Sequence, residues 1–355
     1  MAGSGTVVIG GVDTHGSTHH AAAIDVAGRV LATAQFEANS RGYRELHSWL
    51  RGHGELSSVG VEGTGSYGAG LARYLSAQGV EVVEVDRPDR RMRRRRGKSD
   101  PIDAEAAARS VLAGTAAGSP KDRTGVVESI RALRVARTGA VKARTAAASS
   151  LKATVTTAPA PLRERLETLS SPQRIEVCAA MRADSSRLDD PLQGTKAALR
   201  SLSRRIVALD AEIAELDAAL SCLVRKAAPR TMAQCGIGVD HAGQLLVTAG
   251  QNIERLHSEA AFARLCGAAP IPASSGRTDR HRLSRGGDRQ ANRALYMAVI
   301  VRLAHDERTR AYAERRTAEG LSKSEIIRCL KRYLAREVYG DLVADLRALR
   351  GIDTI

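Results

Sequence analysis

Three short stretches in the first third of the chain put acidic residues where carboxylates carry chemistry. Asp13 ends an apolar run in Gly10-Gly11-Val12-Asp13-Thr14, and the C-terminal end of a strand points into the crevice where α/β proteins bind ligands. A solvated turn aspartate and the opening strand of an actin-like sugar kinase fit the same residues. Glu62 ends Val59-Gly60-Val61 and is followed by Gly63-Thr64-Gly65-Ser66-Tyr67, whose glycines admit a backbone or a phosphate. An acidic residue seldom ends a buried strand without a charge partner or a metal, the alternative here being a helix cap. In Asp100-Pro101-Ile102-Asp103 the proline suits a first helical turn, and the spacing of three sets both carboxylates on one face. Such a pair is unfavourable unless a cation lies between them, although an N-cap at Asp100 and a dipole contact at Asp103 use the same residues.

Jointly, Asp13, Glu62, Asp100 and Asp103 supply hard oxygen ligands from two strand ends and one helix start. That inventory suits a two-Mg²⁺ site for phosphoryl transfer, with Mn²⁺ as a substitute. A cationic block containing Arg90, Arg91, Arg93, Arg94, Arg95, Arg96 and Lys98 directly precedes Asp100, where a scissile phosphate would lie. A second cationic loop, 270–288, carries Arg277, Arg280, Arg282 and Arg285 together with Ser274 and Ser275. Either hydroxyl is a turn former or, beside a base or metal, a nucleophile. His15, His19 and His20 follow Asp13 closely, but two of them flank a strand in unfavourable phase. They read as structural or phosphate-contacting residues.

The elements that must position these residues change character along the chain. Up to about Ala113, β-branched runs alternate with helical patterns, the signature of an α/β domain. Its strands are expected at Val7 to Asp13, Ala21 to Asp25, Val30 to Phe36, Val59 to Glu62 and Val80 to Val85, with helices at Tyr43 to Leu50 and Gly68 to Ser76. After Gly118 the pattern is helical. Leu199, Leu202, Ile206, Leu209, Ile213, Leu216 and Leu220 alternate spacings of three and four, the stripe of a coiled coil, with 129–158 as a partner helix. The stripe can bury against its own chain or a second subunit, and the second is favoured, since a projecting helix pair needs a partner. Ser322 and Glu325 form a capping box ahead of Ile326, Leu330, Leu334 and Val338. The stretch 175–191 has no evident role.

The 355 residues exceed one core and predict two or three units, which the change of pattern along the chain sets at 1–115, 116–226 and 227–355. Lys and Arg number 54 against 39 Asp and Glu, a formal charge of +15 that selects a polyanionic partner. Aromatics are only 3% of the chain, which argues against base stacking as the means of recognition. Five scattered cysteines without a C-x-x-C pair suggest a reducing compartment and no structural zinc. With no apolar run of spanning length, a cytoplasmic protein without membrane contact is expected.

These pieces resemble the DEDD transposases of the IS110 type, relatives of the pilin-gene invertases and including the bridge-RNA-guided recombinases. The resemblance is carried by Val12-Asp13, Val61-Glu62-Gly63-Thr64-Gly65-Ser66-Tyr67 and Lys98-Ser99-Asp100-Pro101-Ile102-Asp103-Ala104. Further along it is carried by Gly236-Ile237-Gly238, Cys266-Gly267-Ala268-Ala269-Pro270, Ser275-Gly276 and Leu283-Ser284-Arg285-Gly286-Gly287-Asp288. It implies an RNase H-like (RuvC-like) α/β domain, a coiled-coil middle and a helical transposase domain. It also implies Asp13, Glu62, Asp100 and Asp103 as metal ligands and Ser275 as a nucleophile that becomes phosphoserine. Donor and target DNA, a structured bridge RNA and a dimeric or tetrameric assembly follow as partners. A RuvC-like endonuclease would keep the carboxylates and the basic arm but use water in place of the serine.

Overall fold

The structure, a computed structural model, describes residues 6–85, 99–116, 118–274, 276, 281–282, 284 and 286–351. The β-branched runs of the first third form β1 (Val7–Thr14), β2 (Thr18–Asp25), β3 (Val30–Glu37), β4 (Glu55–Glu62) and β5 (Glu81–Val85). They make one sheet in the order β3-β2-β1-β4-β5. β1 to β3 are an antiparallel meander, while β4 and β5 run parallel to β1. The β2–β3 turn closes on Asp25, whose Oδ1 accepts from the Ala27 and Arg29 amides at 3.0 and 2.8 Å.

A parallel strand must be reached by a crossover, and two helices supply it. α1 (Ser40–Gly52) starts where the Asn39 side chain accepts from the amides of Arg41 and Gly42, and α2 (Ala69–Ala77) connects β4 to β5. Leu46, Leu50, Leu71 and Leu75 of these helices bury the sheet face formed by Val8, Val12, Val59 and Val61. The opposite face is covered by α3 (Asp100–Leu112), whose Ala108 packs with Ile9 and Ile24.

The remainder is largely helical. Its strands among the described residues are a short antiparallel pair, β6 (Ile271–Pro272) and β7 (His281–Arg282). α4 (Gly125–Thr156) and the 37-residue α7 (Pro191–Ala227) lie side by side. They run antiparallel, since Arg137 pairs with Asp217 and Arg144 with Asp210 at 2.6 Å. Between them in the chain, α5 (Ala160–Glu167) and α6 (Ser171–Ala179) fold back. Sequence spacing favoured a second subunit as cover for the α7 stripe. The chain itself covers Leu199 and Ile206, through Ala147, Leu151, Val155, Leu162, Leu166 and Cys178, and buries Leu220 in the C-terminal core. Spacing along α7 does not foretell the return of α5 and α6, and Cys178, part of that cover, lies in the stretch 175–191, whose role is not evident from sequence. Leu209, Ile213 and Leu216 are only half-buried.

The C-terminal core joins the start of α4 and the end of α7 to α8 (Pro229–Ala233), α9 (Val239–Ala249), α10 (Glu259–Leu265), α11 (Arg289–His305), α12 (Glu307–Ala318) and α13 (Lys323–Leu349). Ile326, Leu330, Leu334 and Val338 are buried as their spacing requires. The Ser322 amide donates to Glu325 Oε2 at 3.0 Å, closing the expected capping box. Gly236-Ile237-Gly238 connects α8 to α9; a Cβ at Gly236 would fall 2.7 Å from the Ala298 carbonyl oxygen, so the turn is pressed against α11. No helix among the described residues is long and apolar enough to cross a membrane.

Candidate metal centre

Strand alternation sends Gly11 and Asp13 of β1 to the α3 face. Gly11 sets how close α3 comes: a Cβ there would lie 2.1 Å from the Ala104 carbonyl oxygen and 2.3 Å from the Ala108 amide nitrogen. Gly60 of β4 acts likewise, with a virtual Cβ 2.9 Å from the Ala107 carbonyl oxygen. Glycines on the sheet and alanines on the helix therefore let the two backbones touch. The contact draws the first turn of α3, with Asp100 and Asp103, against the end of β1.

Asp13 and Asp103 are 7% and 3% exposed, burial that carboxylates rarely accept without compensation. Asp100 is half-buried at the first position of α3, and Ser99, not Asp100, holds the N-cap position. Parallel pairing of Val12 with Val61 places Glu62 beside Asp13 at the ends of adjacent strands, and alternation from Gly60 puts it on the α3 face. The Thr14 hydroxyl donates to the Glu62 carbonyl oxygen at 2.9 Å, which ties the two strand ends together. The loop beyond Glu62 is fastened in turn by a hydrogen bond from Thr64 to Glu84 of β5. Asp13, Asp100 and Asp103 thus meet at the C-terminal end of β1 on the α3 face, and Glu62 ends the adjacent strand on that same face.

Two histidines read from sequence as structural or phosphate-contacting belong to this cluster. His15 Nε2 lies 3.2 Å from Asp13 Oδ2 and 3.5 Å from Asp100 Oδ1, and His20 Nε2 lies 3.4 Å from Asp100 Oδ2. The missed signal was hairpin register. β2 begins at Thr18 and sets His20 directly opposite Asp13, so both side chains leave the same face. Starting that strand at Ala21 hides the pairing. His19 points the other way and stacks on Tyr43 with 5.7 Å between ring centroids, a core position where burial holds its pKa down.

Burial pushes the Asp13 carboxyl above its ordinary value; His15 opposes this, and the charges of Asp103 and Asp100 add to it. Crowded acids of this kind favour a bound cation. Asp13, His15 and Asp100 can each present one ligand atom, all within 4.8 Å of one another. Carboxylate oxygens suit Mg²⁺ and Mn²⁺, and an added imidazole nitrogen is acceptable to Mn²⁺. The donor set therefore fits a divalent ion.

Several predicted residues fall outside the described part of the chain: Arg90, Arg91, Arg93, Arg94, Arg95, Arg96 and Lys98 of the basic block, and Ser275, Arg277, Arg280 and Arg285 of the serine loop. Ser274 and Arg282 are described and exposed, Arg282 lying in β7. Asp288, at the end of that loop, is a structural residue: its Oδ1 accepts from the Gln290 amide at 2.8 Å and its Oδ2 from the Thr248 hydroxyl at 2.7 Å, capping α11.

Fold and site define a class: an α/β protein with a carboxylate cluster at the ends of parallel strands, joined to a basic helical lobe. Family comparison makes the assignment narrower. Residues 10–158 match the IS110-type DEDD transposase profile, and residues 230–314 match the transposase IS116/IS110/IS902 family. The chain belongs to the IS110-type DEDD transposases. It is 29% identical over 134 residues to the insertion element IS900 uncharacterized 42 kDa protein of Mycobacterium paratuberculosis, covering 37% of this chain and 34% of that protein. It is 30% identical over 136 residues to the insertion element IS110 uncharacterized 43.6 kDa protein of Streptomyces coelicolor, covering 37% and 33% respectively. The aligned part thus spans about a third of each relative.

Proposed function

We propose that the protein is a DNA recombinase of an insertion sequence, with an RNase H-like (RuvC-like) first unit, a coiled-coil middle and a C-terminal unit that supplies a serine nucleophile. The observation that carries this reading is the convergence of Asp13, Asp100 and Asp103, with Glu62 on the neighbouring strand end, on the face where α3 touches the sheet. Asp13, Glu62, Asp100 and Asp103 would hold Mg²⁺ or Mn²⁺, with His15 and His20 orienting Asp13 and Asp100. Bound there, a divalent ion supplies charge stabilisation to the phosphoryl group and lowers the pKa of the attacking hydroxyl. The Ser275 Oγ forms a bond to phosphorus as the bond from phosphorus to the leaving sugar oxygen breaks. The serine proton passes to solvent, and the leaving oxygen takes up a proton as a hydroxyl. Attack by a sugar hydroxyl of another strand then reverses the step and frees the serine. One ester is exchanged for another at each stage, so no external energy source is required. Donor and target DNA are the substrates, a structured bridge RNA selects them, and a dimer or tetramer brings serine and carboxylates together.

The test is recombination by purified protein across a Mg²⁺ and Mn²⁺ titration. Asp13→Ala, Glu62→Ala and Asp103→Ala are each expected to lower the rate at least ~10²-fold, a loss of several kcal/mol of charge stabilisation. Near-normal rates in any of the three would remove the site assignment.

A further inference from the structure

Beside β6 and β7 lies a cavity of about 590 Å³, open on one side and walled by residues 267–270, the end of α12 and the first turns of α13. Arg282, Arg316, Arg328, Lys331 and Arg332 line it, with Glu325 as the one carboxylate among its described lining residues. Glu325 is engaged in the capping box, and its Oε1 stands 3.8 Å from Arg328. Lys331 is 6% exposed, and its ammonium donates to Asn292 Oδ1 at 2.9 Å. The Asn292 amide in turn donates to the carbonyl oxygens of Cys266 and Gly267 at 3.0 and 2.9 Å. Gly267, with φ +63, faces the Gly286 carbonyl oxygen 2.6 Å from a virtual Cβ, so the 266–270 and 286–287 segments meet backbone to backbone. A buried cation of the cavity wall is thereby tied, through Asn292, to the start of the Gly267-Ala268-Ala269-Pro270 segment that also lines it.

The arrangement is short of negative charge. Burial, and after it the charge of Arg328, pull the Lys331 pKa below its ordinary value. Arg316 Nε and Arg332 Nη1 are buried with no hydrogen-bond partner in this structure, although both guanidinium groups are anchored elsewhere, to Glu319 and Glu259. These two atoms are closed off from solvent, so the residues bear on the cavity through the positive charge of its wall. An ammonium has three donors and a phosphate several acceptor oxygens, so an oxyanion answers the deficit.

We propose that this cavity is a subsite for a backbone phosphate of DNA, on the strand engaged by the serine loop. The inference rests on the recombinase reading. β7 and residues 267–270 belong both to the cavity wall and to the segment leading into and out of that loop. Phosphates recur about every 3.4 Å of helix axis along one strand of duplex DNA. A strand that passes β7 therefore brings successive phosphates to a wall that includes Arg328 and Lys331.

The experiment is fluorescence anisotropy of the full chain with a fluorescein-labelled DNA duplex across a NaCl series, for the wild type, Arg328→Gln, Lys331→Met and, as a charge-matched control on exposed α7, Arg225→Gln. The slope of log affinity against log salt is expected to shrink by about 0.9 for each pocket substitution and to stay unchanged in the control. Thermal melts accompany each variant, and the slope of Arg328→Gln alone decides if Lys331→Met does not fold. Unchanged slopes in the pocket variants overturn the subsite. So does an equal loss in Arg225→Gln, which would reflect net charge alone, or a loss seen only with an RNA duplex of the same length. A wild-type chain that binds no DNA would instead remove the recombinase reading on which the subsite rests.

Discussion

Asp13 is held at an electrostatic disadvantage, because burial and the nearby charges of Asp103 and Asp100 raise its carboxyl above the ordinary 3.8. For an acid with a raised folded-state pKa, the stabilising contribution is present below the unfolded value and is lost as pH rises through the folded value. At neutral pH the ionised Asp13 therefore works against the fold in metal-free protein, and a bound divalent cation relieves it. Asp13→Asn is expected to raise the metal-free melting temperature at pH 7 and to make no difference below about pH 3.8. Mg²⁺ should raise the melting temperature of the wild type and leave that of Asp13→Asn unmoved; a variant that melts lower at pH 7 and still responds to Mg²⁺ would contradict this account. At this scale much was legible. The carboxylates announced themselves by position: Asp13 and Glu62 at strand ends, Asp100 and Asp103 around a helix-starting proline. His15 and His20 did not, because their place depends on hairpin register, which shifts a side chain to the other face with each residue of slip.

Among the elements, α3 is the one that assembles the site, and its approach is set by residues with almost no side chain. Gly11→Ala would push a methyl group into the backbone of Ala104 and Ala108, so helix and strand must separate. The expected outcome is a folded protein destabilised by about 1–3 kcal/mol, with recombination reduced far more than stability because Asp100 and Asp103 move away from Asp13. Denaturant unfolding and a recombination assay on the same preparation check it; full activity in Gly11→Ala would show that the close contact does not position the carboxylates. The apolar periodicity that predicts strands also predicts buried faces, but it gives no weight to glycine. The α7 stripe illustrates the same limit, since spacing marks a buried face without saying what covers it. Ile206 is fully buried within its own chain, whereas Ile213 is half-buried. Ile206→Ala should cost about 2–5 kcal/mol. Ile213→Asp should lower the oligomeric state with helicity retained. Light scattering and circular dichroism separate the two, and an Ile213→Asp protein of unchanged size would place the whole stripe inside one chain.

Across the whole molecule, the segment between α3 and α4 joins the carboxylate lobe to the lobe that leads into the serine loop. Lys121 Nζ donates to the Val247 carbonyl oxygen at 2.6 Å, and the Arg123 guanidinium donates to the Gly65 carbonyl oxygen at 2.7 Å, three residues beyond Glu62. Arg255 lies 3.6 Å from Glu84, the acceptor that fastens Thr64. These contacts link residues 58 to 171 positions apart and leave no periodic trace, so nothing in the sequence foretold them. The α/β start, the largely helical remainder and the basic character were legible because hydrophobic period and net charge are summed over many residues. The account stands on the claim that the carboxylate cluster and Ser275 act in one reaction. The direct measurement is to trap the protein on labelled DNA under denaturing conditions, with Mg²⁺ or with chelator, for the wild type, Ser275→Ala, Ser274→Ala and Asp13→Ala. A covalent adduct that requires Mg²⁺, survives Ser274→Ala and disappears in both Ser275→Ala and Asp13→Ala is predicted. DNA cleaved without any adduct, or an adduct that persists in Ser275→Ala, would contradict it.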